Sequence, residues 1–353
     1  MFADLYWEVN IIYIKQLPSQ NYKNDSYISE LIAISMIIWG AFIFLVCIFL
    51  ALDLGVFNKK DHVIRSKEAG IWTSVWFTVA MSFSGVIYWL FSEGIIDNPT
   101  GLTPGDAVLK YITGYLIELS LSIDNVFVIA VIFSAFAIPP IYQHRVLFWG
   151  IIGAIFFRAF MILFGVALIN EFEWIIYAFG AFLLYTAYKM LKTGNSDFNP
   201  KESFVFKQIK KIYPITTVIK GHNFFIRKMG LTVATPLFVA LIVIEITDVM
   251  FALDSIPAIL AITADPFIVF SSNILAILGL RSMYFLVSRM LTKFRFIHYS
   301  LVVILAFVGF KMIFSHYVHV PEWISLTVIV ASLVSGVIAS LLIPQKEEVP
   351  EDF

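Results

Sequence analysis

Glu118-Leu119-Ser120-Leu121-Ser122-Ile123-Asp124-Asn125 and Asp248-Val249-Met250-Phe251-Ala252-Leu253-Asp254-Ser255 share one pattern. An acid is followed six positions later by Asp, and then by a small polar residue. Each copy lies inside a stretch apolar and long enough to be a membrane helix, which needs about 20 mostly apolar residues. Acids in such a place must be compensated, so these two octets decide how the rest of the chain is read.

The match continues on both sides. Arg158 follows Asp124 by 34 residues in Gly150-Ile-Ile-Gly-Ala-Ile-Phe-Phe-Arg158, and Arg281 follows Asp254 by 27 in Asn273-Ile-Leu-Ala-Ile-Leu-Gly-Leu-Arg281. Phe172 to Tyr177 aligns with Phe294 to Tyr299, with Lys189 and Lys311 each 15 residues after Trp174 and Phe296. The repeating unit is three helices. Three crossings reverse the sense of the chain, so the second copy is expected to traverse the membrane opposite to the first. Inverted repeats of this kind recur in secondary transporters, with the site near the midplane between the repeats. They occur in channels as well.

Nine apolar stretches qualify as spans: 31–52, 71–92, 108–133, 146–169, 174–191, 235–262, 267–289, 297–317 and 323–343. The expected fold is an all-α polytopic membrane protein with inverted three-helix repeats in spans 3 to 5 and 6 to 8. Lys and Arg fall in alternate loops, which by the positive-inside rule sets the N-terminus outside and the C-terminus in the cytoplasm. The chain divides into a leader (1–29), two helices (30–106), repeat 1 (107–191), a linker (192–230), repeat 2 (231–317), and a ninth helix with its tail (318–353). The leader lacks the basic start and cleavage site of a secretory signal. The linker holds eight basic and two acidic residues, and residues 204–212 are expected as an amphipathic helix on anionic headgroups.

Composition agrees: 60% hydrophobic, 14% charged and a mean hydropathy of +0.87 leave more apolar surface than one soluble core could bury. Net charge is −1 but strongly uneven along the chain, so the net value says nothing about acidic partners, and no nucleic-acid partner is expected. Cys47, the sole cysteine, excludes an intrachain disulfide or a Cys-based metal cluster. No nucleophile with a base and no cofactor loop is visible, so the chain is not expected to be an enzyme or to carry a prosthetic group.

Glu118, Asp124, Glu245, Asp248 and Asp254 all lie too deep to reach water. At roughly 2.5–3.5 kcal/mol each, they would cost on the order of 12–17 kcal/mol if unpaired. Arg158 and Arg281 can balance two of them, and a cation or protons must supply the rest. On a helix, Glu118 and Asn125 share a face while Asp124 is turned about 120° away, as are the corresponding residues of the second copy. Local unwinding near Pro257 and near the serines beside Asp124 is the expected remedy. The candidate ligands are Glu118, Asp124, Asn125, Glu245, Asp248 and Asp254, with Ser122, Ser255 and Asn273 as auxiliary polar groups. These are hard oxygen donors, suited to Mn, Ca or Mg rather than Cu or Zn. Asp53 reads as a structural or gate residue, and His316 and His319 as interfacial polar residues.

With those residues in view, the sequence resembles the TerC family, particularly its Alx-like bacterial branch. The likeness runs from Leu52-Asp53-Leu54-Gly55-Val56-Phe57 to the last span. It includes Gly114 through Glu118, Asp124-Asn125, Gln143 through Gly150, Phe224 through Lys228, Ala234-Thr-Pro-Leu237, Glu245-Ile-Thr-Asp248, Phe251 through Pro257, Asp265-Pro-Phe267 and Ser272 through Arg281. Leu119 departs from the pattern, since related sequences often have Lys there. The resemblance implies a Mn(II) exporter of the cytoplasmic membrane, in a family first associated with tellurite resistance and related to LysE-type transporters. It carries the membrane acids over to Glu118, Asp124, Glu245, Asp248 and Asp254. The expected function is Mn(II) export by alternating access, coupled to protons, with a lipid bilayer, a divalent ion and protons as partners. A Ca(II) or broad divalent-cation transporter, and a scaffold for metal loading or metal stress, remain the alternatives. Nothing in the sequence sets the oligomeric state.

Overall fold

Four of the long helices start with proline at the first helical position, where its missing N–H leaves no bond unmade and its fixed φ suits the turn. They start at Pro104, Pro140, Pro236 and Pro266. Two carry a side-chain cap as well: Thr103 Oγ1 accepts from the Asp106 N–H, and Asp265 Oδ1 accepts from the Ile268 N–H. These four helices supply the side chains of the central site.

The computed structural model describes residues 25–57, 66–96, 98, 101–172, 174–193, 214–216, 218–219, 221–228, 231–288, 296–315, 317–318, 320–321 and 322–342. Within them the side chains at 25–33, 53–57, 66, 124, 127, 170, 228, 254, 297 and 322 lie outside the described set. Among the described residues the elements are α1 (Asp25–Phe57), α2 (Ser66–Ser92), α3 (Pro104–Ala135), α4 (Pro140–Glu171) and α5 (Ile175–Thr193), then β1 (Phe225–Lys228) and β2 (Leu231–Ala234). They continue with α6 (Pro236–Leu260), α7 (Pro266–Leu278), α8 (Leu280–Val287), α9 (Ile297–Phe314) and α10 (Glu322–Leu342). Among the described residues six helices are long and apolar enough to cross a membrane, or seven if the pair α7–α8, bent by 44°, is counted as one span. The short α9 and the lysine-bearing α5 fall outside that measure.

Three expectations need correction. The chain is mostly helical rather than all-α: β1 and β2 form an antiparallel hairpin pairing Phe225 with Ala234 and Lys228 with Leu231. β1 closes the basic linker and β2 opens the stretch read as repeat 2, just before the sixth apolar run. Second, α3 and α6 are continuous through the serines beside Asp124 and through Pro257. Pro257 sits in the last turn of α6 and the Ala261 N–H closes onto its carbonyl at 3.0 Å, so the proline perturbs a helix already ending. Third, the seventh span is the broken one, at Gly279. The predicted amphipathic helix at 204–212, along with His316 and His319, lies outside the described residues, as does most of the leader.

Packing follows a crossed scheme. α3 lies mainly against α7 and α4 mainly against α6, while α5 and α9 make the most extensive helix pair. At that pair a Cβ added to Gly180 would come within 3.0 Å of the Gly309 carbonyl oxygen, and one added to Gly309 within 3.0 Å of the Gly180 carbonyl oxygen. Such reciprocal glycines let two backbones touch, a common device of membrane helices. α1 is peripheral, held through Trp39 and Phe42 against Phe267 and Phe270.

The hairpin fixes relative directions. It leads directly into α6, and it meets the start of α4 through Tyr142 against His222 and Arg145 over the Phe224 ring. The starts of α4 and α6 therefore lie at one face. Only a four-residue turn separates the end of α3 from α4, so α3 ends where α6 begins.

Candidate functional site

Carboxylates from two different helices converge on one cation. Arg158, mid-way along α4, donates from Nε to Asp248 Oδ2 at 3.1 Å and from Nη2 to Asp248 Oδ1 at 2.9 Å. Its Nη1 donates to Glu118 Oε1 in a close ion pair. Glu118 belongs to α3 and Asp248 to α6, each near its helix centre, so the guanidinium fork joins the two motif copies. All three groups are buried, Glu118 completely.

Amides complete each carboxylate differently. Asn273 of α7 donates from Nδ2 to Glu118 Oε2 at 3.0 Å. Asn125 of α3 reaches Asp248 Oδ1 only at 3.5 Å. Two acids share one arginine, so this cluster carries formal charge −1. Arg281 is buried on α8, past the bend.

Several oxygen atoms are left over. Asn125 Oδ1, Asn273 Oδ1, Ser122 Oγ, Ser255 Oγ and Glu245 Oε2 are buried without a hydrogen-bond partner. Such groups are rare because each forfeits hydration. All five can accept, the two serine hydroxyls can also donate, and Trp76 Nε1 is a buried donor likewise without a partner. Glu245 is one turn from Asp248 on α6, and its carboxyl rests against the backbone of Gly153, where a Cβ would collide with it.

The structure thus brings together Glu118, Asn125, Arg158, Asp248 and Asn273, and sets Glu245 beside them across the α4–α6 contact. The backbones of Asp124 and Asp254 belong to α3 and α6, and their side chains, with that of Asp53, lie outside the described residues. Among the described residues, no three His, Cys, Asp or Glu side chains gather closely enough to hold a metal. Two residues missed in the sequence are Gly150 and Thr247. With Asn125 and Asp248 they line a cavity of about 20 Å³ between α3, α4 and α6. The register of Gly150 against Asn273 was the available signal.

The sequence profile of the integral membrane protein TerC family matches residues 103–348, which takes in every residue of this cluster. The chain belongs to the TerC family. It is 47% identical over 305 residues to "Uncharacterized membrane protein STKORF319" of Myxococcus xanthus, covering 86% of this chain and 92% of that protein. It is 43% identical over 295 residues to "Putative membrane-bound redox modulator Alx" of Salmonella typhi, covering 83% and 90%. The Escherichia coli K12 protein of the same name is 42% identical over 299 residues, covering 84% and 92%. These likenesses put this TerC-family chain with the Alx-like branch. No solved structure matches it significantly.

Proposed function

We propose that this TerC-family protein is a secondary transporter of the cytoplasmic membrane that exports Mn(II) by alternating access, in exchange for protons. One observation carries the reading. Arg158 clamps one carboxylate from each motif copy at the centre of four helices, while the two amides on those carboxylates, Asn125 and Asn273, leave their oxygens without a donor. A cluster with excess negative charge and spare hard oxygen atoms suits a divalent cation, and the same carboxylates can take protons when the ion leaves.

The packing supports an inverted-repeat transporter. A two-fold axis relating α3–α5 to α6–α9 exchanges the α3–α7 contact with the α4–α6 contact and maps the α5–α9 contact onto itself, as the crossed scheme requires. Counting α7–α8 as one bent span and including α5 and α9, the helices amount to nine passes, which with the alternation of basic loops supports an external N-terminus and a cytoplasmic C-terminus. The redox label of the Alx relatives has less footing here. The single cysteine, Cys47, is exposed on α1 and offers no intrachain dithiol.

Metal competition for uptake into everted vesicles, with and without a pH gradient, tests substrate and coupling together. Mn(II) uptake that Ca(II) and Mg(II) compete against poorly, and that collapses with the gradient, is expected. Asp124→Ala and Asp254→Ala should each abolish it. Normal manganese flux in both variants would sink the assignment. Equal uptake of Ca(II) would favour a broad cation transporter, and absence of flux in purified proteoliposomes a scaffold.

A further inference from the structure

α1 stands off from α2. Aromatic rings bridge the gap, Phe49 to Trp76 and Phe42 to Phe83, each pair with centroids 5.5 Å apart. Phe49 and Phe83 also line a groove of about 1090 Å³, which runs along α2 from Lys67 to Val86. At 1.5 Å per residue that is about 29 Å, close to the roughly 30 Å of a bilayer's hydrocarbon.

The sequence of α2 makes the groove. Gly70, Ser74 and Thr78 recur every fourth residue, so small side chains stack in a row on one face. Their hydroxyls turn back onto the helix: Ser74 Oγ donates to the Gly70 carbonyl at 2.9 Å and Thr78 Oγ1 to the Ser74 carbonyl at 2.8 Å. Each proton is spent within α2, and the floor of the groove has little that must be hydrated.

Size and charge select the occupant. A helix of about 10 Å diameter along the same 29 Å would need about 2,200 Å³, twice the room available. Acyl chains are thinner and fit the apolar walls. Among the described residues Lys67 is the one charged side chain on the lining, and it is exposed at the groove's end. Glu68, next in sequence, is not part of the lining. One leaflet covers about half of the hydrocarbon, or about 15 Å. From Lys67 that distance reaches Thr78, the stretch in which the small side chains lie.

We propose that this groove binds an anionic phospholipid, with its chains against Gly70, Ser74 and Thr78 and its phosphate on Lys67 Nζ. The flexible lysine stem lets the ammonium reach headgroup level. The orientation proposed above puts this lipid in the cytoplasmic leaflet, where anionic headgroups meet basic side chains. The site itself is independent of transport.

Native mass spectrometry of the full-length protein in detergent, titrated with dioleoyl phosphatidylglycerol or dioleoyl phosphatidylcholine, tests this. One phosphatidylglycerol should bind in preference to phosphatidylcholine. Lys67→Gln should weaken phosphatidylglycerol binding by about fivefold, the worth of one basic side chain at a charged surface, and leave phosphatidylcholine unchanged. Lys192→Gln, an exposed lysine at the end of α5, should keep the preference. Ser74→Leu, which fills the groove, should weaken both lipids. Glycerol phosphate, a headgroup without chains, should not bind. Equal binding of the two lipids by the wild type, or the same loss in Lys192→Gln as in Lys67→Gln, overturns the site. So does a dimer that Ser74→Leu splits, which gives the groove to a second copy. Should Ser74→Leu fail to fold, the two lysine variants decide.

Discussion

Glu118 and Asp248 hold the same place in two copies of one motif, yet their surroundings differ. Glu118 is sealed: Arg158 takes one oxygen, Asn273 the other, and no side-chain surface is left exposed. Asp248 receives two bonds from Arg158, but its second helper, Asn125, stands 3.5 Å away, and a tenth of the side chain is accessible beside the cavity. The contrast teaches that a repeated sequence need not build a two-fold site. In register, one half carries Asn273 bonded to Glu118 and the other carries Gly150, so the two carboxylates are completed differently.

The strongest way to break this comparison is to remove what the two acids share. Arg158→Met keeps length and apolar packing but leaves two buried carboxylates without their cation, at a cost of about 3–5 kcal/mol. Thermal unfolding in detergent should show a large drop. Adding Glu118→Gln and Asp248→Asn to the same protein should recover much of the loss, since neutral groups no longer need the guanidinium. An Arg158→Met protein that melts like the wild type would mean that the fork does not hold the two halves together.

A smaller change sharpens the contrast from the other side. Asn273→Ala takes the second partner from Glu118 and gives that half the bare wall that Gly150 gives the other. Hydrogen bonds to charged groups are worth about 1.5–3 kcal/mol, so stability should fall by that order. The loss should be smaller than that of Arg158→Met, because Glu118 keeps its guanidinium partner. A loss in thermal melting as large as that of Arg158→Met would show that the amide matters to Glu118 as much as the guanidinium does.

Much of this was legible in the sequence because membrane burial makes polar residues conspicuous. The acids, both arginines and Asn273 stand out in apolar runs, and prolines at 104, 140, 236 and 266 mark helix starts by a local rule. The pairing was not legible. Nothing along the chain says that Arg158 bridges to Asp248 across the repeat boundary, since that depends on α4 packing against α6. The proposed unwinding failed for a related reason. It assumed that one helix must turn several acids toward one point, whereas the structure brings the acids from separate helices. The contrast of Gly150 with Asn273 was likewise not legible, since it has meaning only once Glu118 and Asp248 are seen to share Arg158.

The bend at Gly279 offers the finest test of what makes the halves unequal. In register with it stands Phe156, where α4 continues unbroken and the ring is 58% exposed on the outside of the helix. Glycine invites the view that backbone freedom creates the bend, but φ at Gly279 is −76°, available to any residue. A Cβ there would sit at ordinary contact, 3.5 Å from both Trp76 Cβ and the Ala276 carbonyl oxygen. Other contacts hold the bend. The Gly279 carbonyl accepts from the Met283 N–H at 3.0 Å and from Ser282 Oγ at 2.9 Å, and α8 is buried against α2. Gly279→Ala should therefore keep the 44° angle and raise stability slightly, by about 0.4–1 kcal/mol through the unfolded chain. Spin-label distances across α7 and α8 would read the angle, and thermal melting the gain. A straightened pair would make glycine itself the cause. A retained bend assigns it to packing on Trp76, where the Phe of the other repeat would find no room.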